Sequence, residues 1–146
     1  MAFIIPDGTG YAGVVPIQIS ETSLGTDQTT ASTANPPTVD LLTASITTVA
    51  STVLYIFVTF SGFNTTDNAN IKFAIDVDGT DHVLGAQSQP GASAGMMVSM
   101  MKRVTGLSAA AHTVTVEWSA SSGTATCNAS TNTLHHCRIL LIEMSG

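Results

Sequence analysis

Positive charge is nearly missing from this chain. Its only cations are Lys72, Lys102, Arg103 and Arg138, set against ten carboxylates for a formal net charge of −6. Neutralising a phosphate backbone takes clustered Lys or Arg. Lys102-Arg103 is the one adjacent pair, so the chain is not expected to bind nucleic acid. Charge of either sign is thin, at 10% of residues against about 25% in an ordinary soluble domain. Ser, Thr and Ala take its place, and a surface of neutral hydroxyls and methyls suits an extended protein–protein lattice better than a freely diffusing enzyme.

Other absences narrow the reading. No long stretch places apolar residues at i, i+3, i+4 and i+7 over a polar opposite face, which removes helices as the main element. The opening "MAFIIPDGTG" lacks a basic leader, and its apolar run is too short for a secretion signal. Synthesis and folding in the cytoplasm follow as the expectation. The stretch 46–63, "ITTVASTVLYIFVTFSGF", approaches membrane-spanning length but is studded with Thr and Ser and has no charged flanks. Two buried strands fit it better than a membrane span, so no membrane association is expected. Disorder is excluded by an apolar share of 44%.

What the chain does have is strand signals, recurring at the spacing of an all-β sandwich. Expected strands run over 14–20, 39–48, 52–61, 71–77, 82–84, 96–105, 111–120, 123–130 and 137–144. Polar or Gly-rich loops fall at 24–37, 64–70 and 85–95, and Asp78-Gly79 supplies a hairpin turn. The pattern predicts an all-β, antiparallel two-sheet jelly-roll sandwich of about eight strands, residues 16–146, preceded by an extended N-terminal arm over 1–15. Phe3, Ile4, Ile5 and Tyr11 make that arm too apolar to lie free in water, so it is expected to dock on a neighbour.

Three motifs invite chemistry. "GTGYAG" (8–13) spells a dinucleotide fingerprint, but Val14-Val15-Pro16 follows it and cannot open the helix on which pyrophosphate would sit. "DVDGTD" (76–81) has the carboxylate count of a calcium loop, yet position six is Asp81 rather than Gly and position twelve is Gln87. A hairpin turn is the simpler reading. For nucleophilic catalysis a His must reach a Ser or Cys and be oriented by a carboxylate. Four His (His82, His112, His135, His136) and many Ser make chance proximity uninformative. No nucleophile elbow or paired acidic signature accompanies them. The expectation is a protein that is not an enzyme and holds no cofactor.

The last strand, within "LHHCRILLIEM" (134–144), is the most telling segment. If 123–130 and 137–144 pair about Asn132, Cys127 stands opposite Cys137, and His135 shares their face. Two buried thiols, a cross-strand disulfide between Cys127 and Cys137, or part of a zinc site would each fit; a closed zinc site needs four ligands, so no metal is expected. The strand is also apolar on both faces, with Cys137, Ile139 and Leu141 on one and Leu140, Ile142 and Met144 on the other. The same doubling recurs at 54–60 and in "GMMVSMMKRV" (95–104). A sandwich strand ordinarily keeps one face wet, and a chain of this size has no third layer to cover the outside. Another subunit is therefore expected to do so, with Tyr55, Phe57, Met97, Met101, Ile139 and Leu141 as candidate contacts.

The segment "GLSAAAHTVTVEW" (106–118), then "SGTATCNAS" (122–130) and "CRILLIEM" (137–144), resembles the C-terminal strands of TNF/C1q-like jelly rolls found in structural proteins of tailed bacteriophages. His112, Thr113, Val114, Trp118, Gly123, Thr124, Ala125, Arg138, Leu140 and Glu143 carry the likeness, while Ala111 stands where the usual glycine would be. The resemblance covers roughly the last 40 residues. It implies a tight homotrimer and a virion role with no catalytic site. The expected role is a capsid decoration protein on the exterior of the head, binding the major capsid protein and stabilising the assembled shell. The alternative is a receptor- or glycan-binding knob of a head or tail fibre, although the loops 24–37 and 85–95 offer no aromatic side chain for stacking on sugar.

Overall fold

The computed structural model describes residues 16–88, 91–128 and 137–145. Among them the chain forms ten strands and no helix: β1 (Pro16–Ser23), β2 (Gln28–Thr30), β3 (Val39–Thr47), β4 (Thr52–Asn64), β5 (Asn70–Val77), β6 (Thr80–Ser88), β7 (Met96–Thr105), β8 (Ala111–Ala120), β9 (Ala125–Cys127) and β10 (Arg138–Ser145). Residues 1–15 lie outside the described residues, and with them the arm positions Phe3, Ile4, Ile5 and Tyr11. His135 and His136 lie outside as well.

Local chemistry sets the strand boundaries. The apolar run 46–63 splits where Ser51 takes a positive φ of 63°, ending β3 and starting β4. In β4 a strict period of two buries Leu54, Ile56, Val58 and Phe60, and leaves Val53, Tyr55 and Phe57 half-buried on the other face. Between β5 and β6, Asp78 and Gly79 have φ of 53° and 83°. Both central residues being left-handed marks the mirror-image turn that suits the right-handed twist of a hairpin.

All pairings are antiparallel. One sheet runs β1-β10-β4-β7, extended at one end by β9 on β4 and β2 on β9; the second runs β3-β8-β5-β6. With the three-residue strands β2 and β9 set aside, the remaining eight strands switch sheets at every connection except the β5–β6 hairpin, which is the order of a jelly roll. The core between the sheets centres on Phe60 of the first sheet. Its ring lies 4.8 Å edge-on from Phe73 and 5.9 Å from Trp118, both of the second sheet. Such pairs add about 0.5–1.5 kcal/mol each beyond the area they bury.

The expected terminal hairpin about Asn132 is not what forms. β9 and β10 do not pair with each other; both lie along the same edge of β4, Cys127 opposite Gly62 and Arg138 opposite Thr59. They are two pieces of one interrupted strand. Cys127 and Cys137, 10 residues apart in sequence, flank the interruption and are joined by a disulfide. β1 and β2 are interrupted alongside them, and the Leu24 amide donates to the Cys137 carbonyl at 3.0 Å across the gap. β2 lies in what reads as a loop in the sequence, because Gln-Thr-Thr has no apolar period; its pairing with β9 creates it.

Candidate functional site

Cross-strand register puts the side chains of the first sheet's outer face into rows. One row is Glu21, Leu140, Phe57 and Met101; the next is Ile19, Ile142, Tyr55 and Arg103. In a third, Met144 stands beside Val53. Tyr55, Phe57, Ile142 and Met144 line a shallow depression with entirely apolar walls. Around it Ile19 is 60% exposed, Ile17 47%, Met101 58% and Met97 71%. An apolar patch spanning four strands is uncommon on a surface that must face water alone. A border of charge limits it, where Arg138 Nε donates to Glu21 Oε1 at 3.0 Å and Arg103 stands at the β7 edge.

Four of the six candidate contacts read from the sequence, Tyr55, Phe57, Met97 and Met101, lie on this face. Ile139 and Leu141 do not. Both are 0% exposed and point into the sandwich core, so they cannot touch another subunit. The alternation of β10 gives the outer face to Leu140, Ile142 and Met144 instead. Ile17 and Ile19 were missed, although the alternation in "PIQIS" is their signal.

The second sheet's outer face has the opposite character. Asp40 stands beside Glu117 and Asp76 beside Asp81, among Thr43, Thr113 and Thr115. Burial, then Asp81, Asp76 and Asp40, hold the Glu117 carboxyl above the usual carboxylate range. In the acidic stretch 76–81, Asp76 Oδ1 accepts the Gly79 amide at 2.9 Å, and the Asp78 carboxylate is turned to His112 and Thr113 of β8. Among the described residues no three His, Cys, Asp or Glu side chains are grouped to hold a metal ion. No helix there is long and apolar enough to cross a membrane.

Two buried polar centres brace one end of the sandwich. Glu143 is 0% exposed; its Oε1 accepts the Val49 amide at 2.6 Å and the Thr52 hydroxyl at 2.8 Å. Its Oε2 has no hydrogen-bond partner among the described residues. His112, 5% exposed, puts Nδ1 2.6 Å from Asp78 Oδ2 and Nε2 3.0 Å from the Ser108 carbonyl. A carboxylate–imidazole pair can activate a nucleophile only if the far nitrogen meets a hydroxyl or thiol. Here it meets a carbonyl oxygen, so this pair orders loops and does not prime a serine.

No protein-family model matches the chain, and no curated protein matches it. Solved structures do. Dimeric latent PorU from Porphyromonas gingivalis aligns over 93% of this chain at 10% identity with a TM-score of 0.49. The structure of infectious bursal disease virus, Gx strain, aligns over 97% at 14% identity with a TM-score of 0.44. This chain spans 14% of the first and 41% of the second. Neither is a TNF- or C1q-like phage protein, and at these TM-scores neither alignment bears on function.

Proposed function

We propose that this chain is a non-catalytic structural unit that assembles with copies of itself through the outer face of the β1-β10-β4-β7 sheet. The assembly is a homotrimer that decorates the exterior of a viral capsid, holding major capsid subunits together. The observation that carries the self-assembly is the apolar patch from Ile19 through Ile142 and Tyr55 to Met101, on a chain whose other broad face is acidic and rich in hydroxyls. Burying such a patch is worth about 25 cal/mol per Å² removed from water, and obligate interfaces commonly exceed ~2,000 Å². The acidic face stays in solvent, where like charges keep assembled units apart.

The trimeric state and the virion role rest on the resemblance of 106–144 to phage jelly rolls. On that reading the unit stabilises a shell by mass action, because it binds the assembled form and not the separated subunits. The arm over 1–15 supplies the capsid contact.

Native mass measurement across a dilution series tests the first step. A trimer is expected at micromolar concentration, and Tyr55→Asp is expected to yield a folded monomer. A wild-type monomer that stays folded at micromolar concentration would overturn the assembly. Mixing with purified empty shells tests the second step. Deletion of residues 1–15 is expected to leave the trimer intact and abolish shell binding; normal shell binding by the truncated trimer would remove the arm from the mechanism.

A further inference from the structure

The buried histidine at the end of the sandwich is held in a way that fixes its proton count. Its Nε2 faces the Ser108 carbonyl, which can only accept, so that nitrogen carries a proton. Its Nδ1 faces Asp78 Oδ2 at 2.6 Å, and the other oxygen of that carboxylate accepts the Thr113 amide at 2.8 Å. An ionised carboxylate also only accepts, so Nδ1 carries a proton too. A ring that donates from both nitrogens is an imidazolium.

We propose that the His112–Asp78 pair is a pH-released brace, which fastens the β5–β6 turn and the β7–β8 loop to the start of β8 while the ring carries both protons and frees the loop when one leaves. The proton that leaves is the one on Nε2. The bond to Asp78 is charge-assisted and short, whereas the bond to Ser108 is to a neutral carbonyl at 3.0 Å. Once Nε2 is bare, two acceptors face each other in a site that is 95% shielded, since His112 is 5% exposed. The loop must then move away.

What moves is defined by its remaining ties. The Ser108 carbonyl also accepts the Thr48 hydroxyl at 2.7 Å, and the Ala110 carbonyl accepts the Thr48 amide at 2.9 Å. Gly106, at a φ of 78°, supplies the backbone freedom at the loop's other end. On the turn side the Asp78 amide donates to the Thr113 carbonyl at 3.0 Å, so turn and strand are tied in both directions.

The surroundings leave Asp78 as the charged partner. Opposite His112, β3 presents Ile46; the β3–β4 turn presents Thr48; the loop presents Ser108. Asp76, on β5, is turned to the Gly79 amide. Glu143 lies beyond the β3–β4 turn, bonded to Val49 and Thr52. The Asp78 hydrogen bond first, then that of Ser108, hold His112 above its ordinary 6.5 against the opposing effect of burial. The His112 hydrogen bond, followed by the Thr113 amide, holds Asp78 below its ordinary 3.8. The brace is therefore complete from about 3.8 to 6.5 and is lost as pH rises through the folded His112 midpoint.

Nitrogen-15 NMR of the imidazoles across pH 5–9 reads this directly in the intact protein. The expected result is a His112 midpoint above 6.5, with both ring nitrogens protonated below it. Hydrogen-exchange protection of the Thr48 amide, which donates to the loop's Ala110 carbonyl, should fall through the same midpoint, after correction for the intrinsic exchange rate. The expected fall is about tenfold for each pH unit by which the midpoint exceeds 6.5. Asp78→Asn should bring the midpoint down and flatten the exchange profile. A wild-type midpoint at or below 6.5, a single ring proton at pH 5.5, or protection indifferent to the titration would overturn the brace, as would an unchanged midpoint in Asp78→Asn. Should that variant fail to fold, the wild-type titration decides alone. Because none of these readings depends on subunit assembly, their failure leaves the proposed trimer standing.

Discussion

Replacing Glu143 by Ala tests whether a buried carboxylate holds the β3–β4 turn against the last strand. Oε1 is the acceptor for the Val49 amide at 2.6 Å and shares the Thr52 hydroxyl, which also reaches the Val49 carbonyl at 2.8 Å. Truncation thus orphans one amide and weakens one hydroxyl bond. Losing a charge-assisted bond costs about 1.5–3 kcal/mol, and the space left in a 0%-exposed site adds to it. Opposing this, the variant no longer buries a carboxylate with one oxygen unpartnered among the described residues. The bonds should win, because both donors sit at one short turn and, among the described residues, Glu143 Oε1 is the acceptor the Val49 amide has. The expected net loss is about 2–3 kcal/mol, or a fall of about 4–12 °C in Tm for a domain of this size. Urea unfolding at one fixed protein concentration measures it, since assembly would otherwise shift the midpoint. Exchange of the Val49 amide should accelerate in parallel. Glu143→Met separates bonding from volume: it fills the site without accepting. If Met is as stable as Glu while Ala is not, the side chain works as filler and the bonding argument fails.

Three further outcomes follow from the geometry. Gly62→Ala should destabilise the fold severely, because an added Cβ would collide with the Thr126 carbonyl and the Phe60 ring; thermal melting of the soluble fraction checks it. Reducing the Cys127–Cys137 disulfide, whose cysteines are 10 residues apart, should lower stability by about 2–3 kcal/mol through loop-closure entropy, measured by denaturant unfolding with and without a dithiol. Glu117→Gln should stabilise the protein at neutral pH, with the gain disappearing below pH 4.5; the folded carboxyl titrates above that value, so in the wild type stability drops as pH rises through its midpoint.

The strand pattern was largely legible in the sequence. β7 and β8 have the expected limits, and Asp78-Gly79 forms the expected turn, because period-two patterning and positive-φ residues are local signals. Pairing was less legible. Cys127 and Cys137 face inward whether their strands turn back on each other or continue along β4, so alternation cannot tell the two apart. The outer face was visible as doubled hydrophobicity, but assigning sides to β10 needed the register that buries Ile139 and Leu141. That same alternation places Glu143 inside, against the general tendency of charge to stay wet. The His112–Asp78 contact joins a strand residue to a turn residue 34 positions away, and no local pattern encodes it.

The interruption between β9 and β10 has a practical meaning for protein engineering. Both flanking pieces take their alignment from β4 and are bolted together covalently at the gap. Each piece is thereby held twice, by hydrogen bonds to β4 and by the covalent link to the other. An engineer recoding other parts of this edge therefore has two independent restraints to lean on, the β4 register and the reducible link between the pieces.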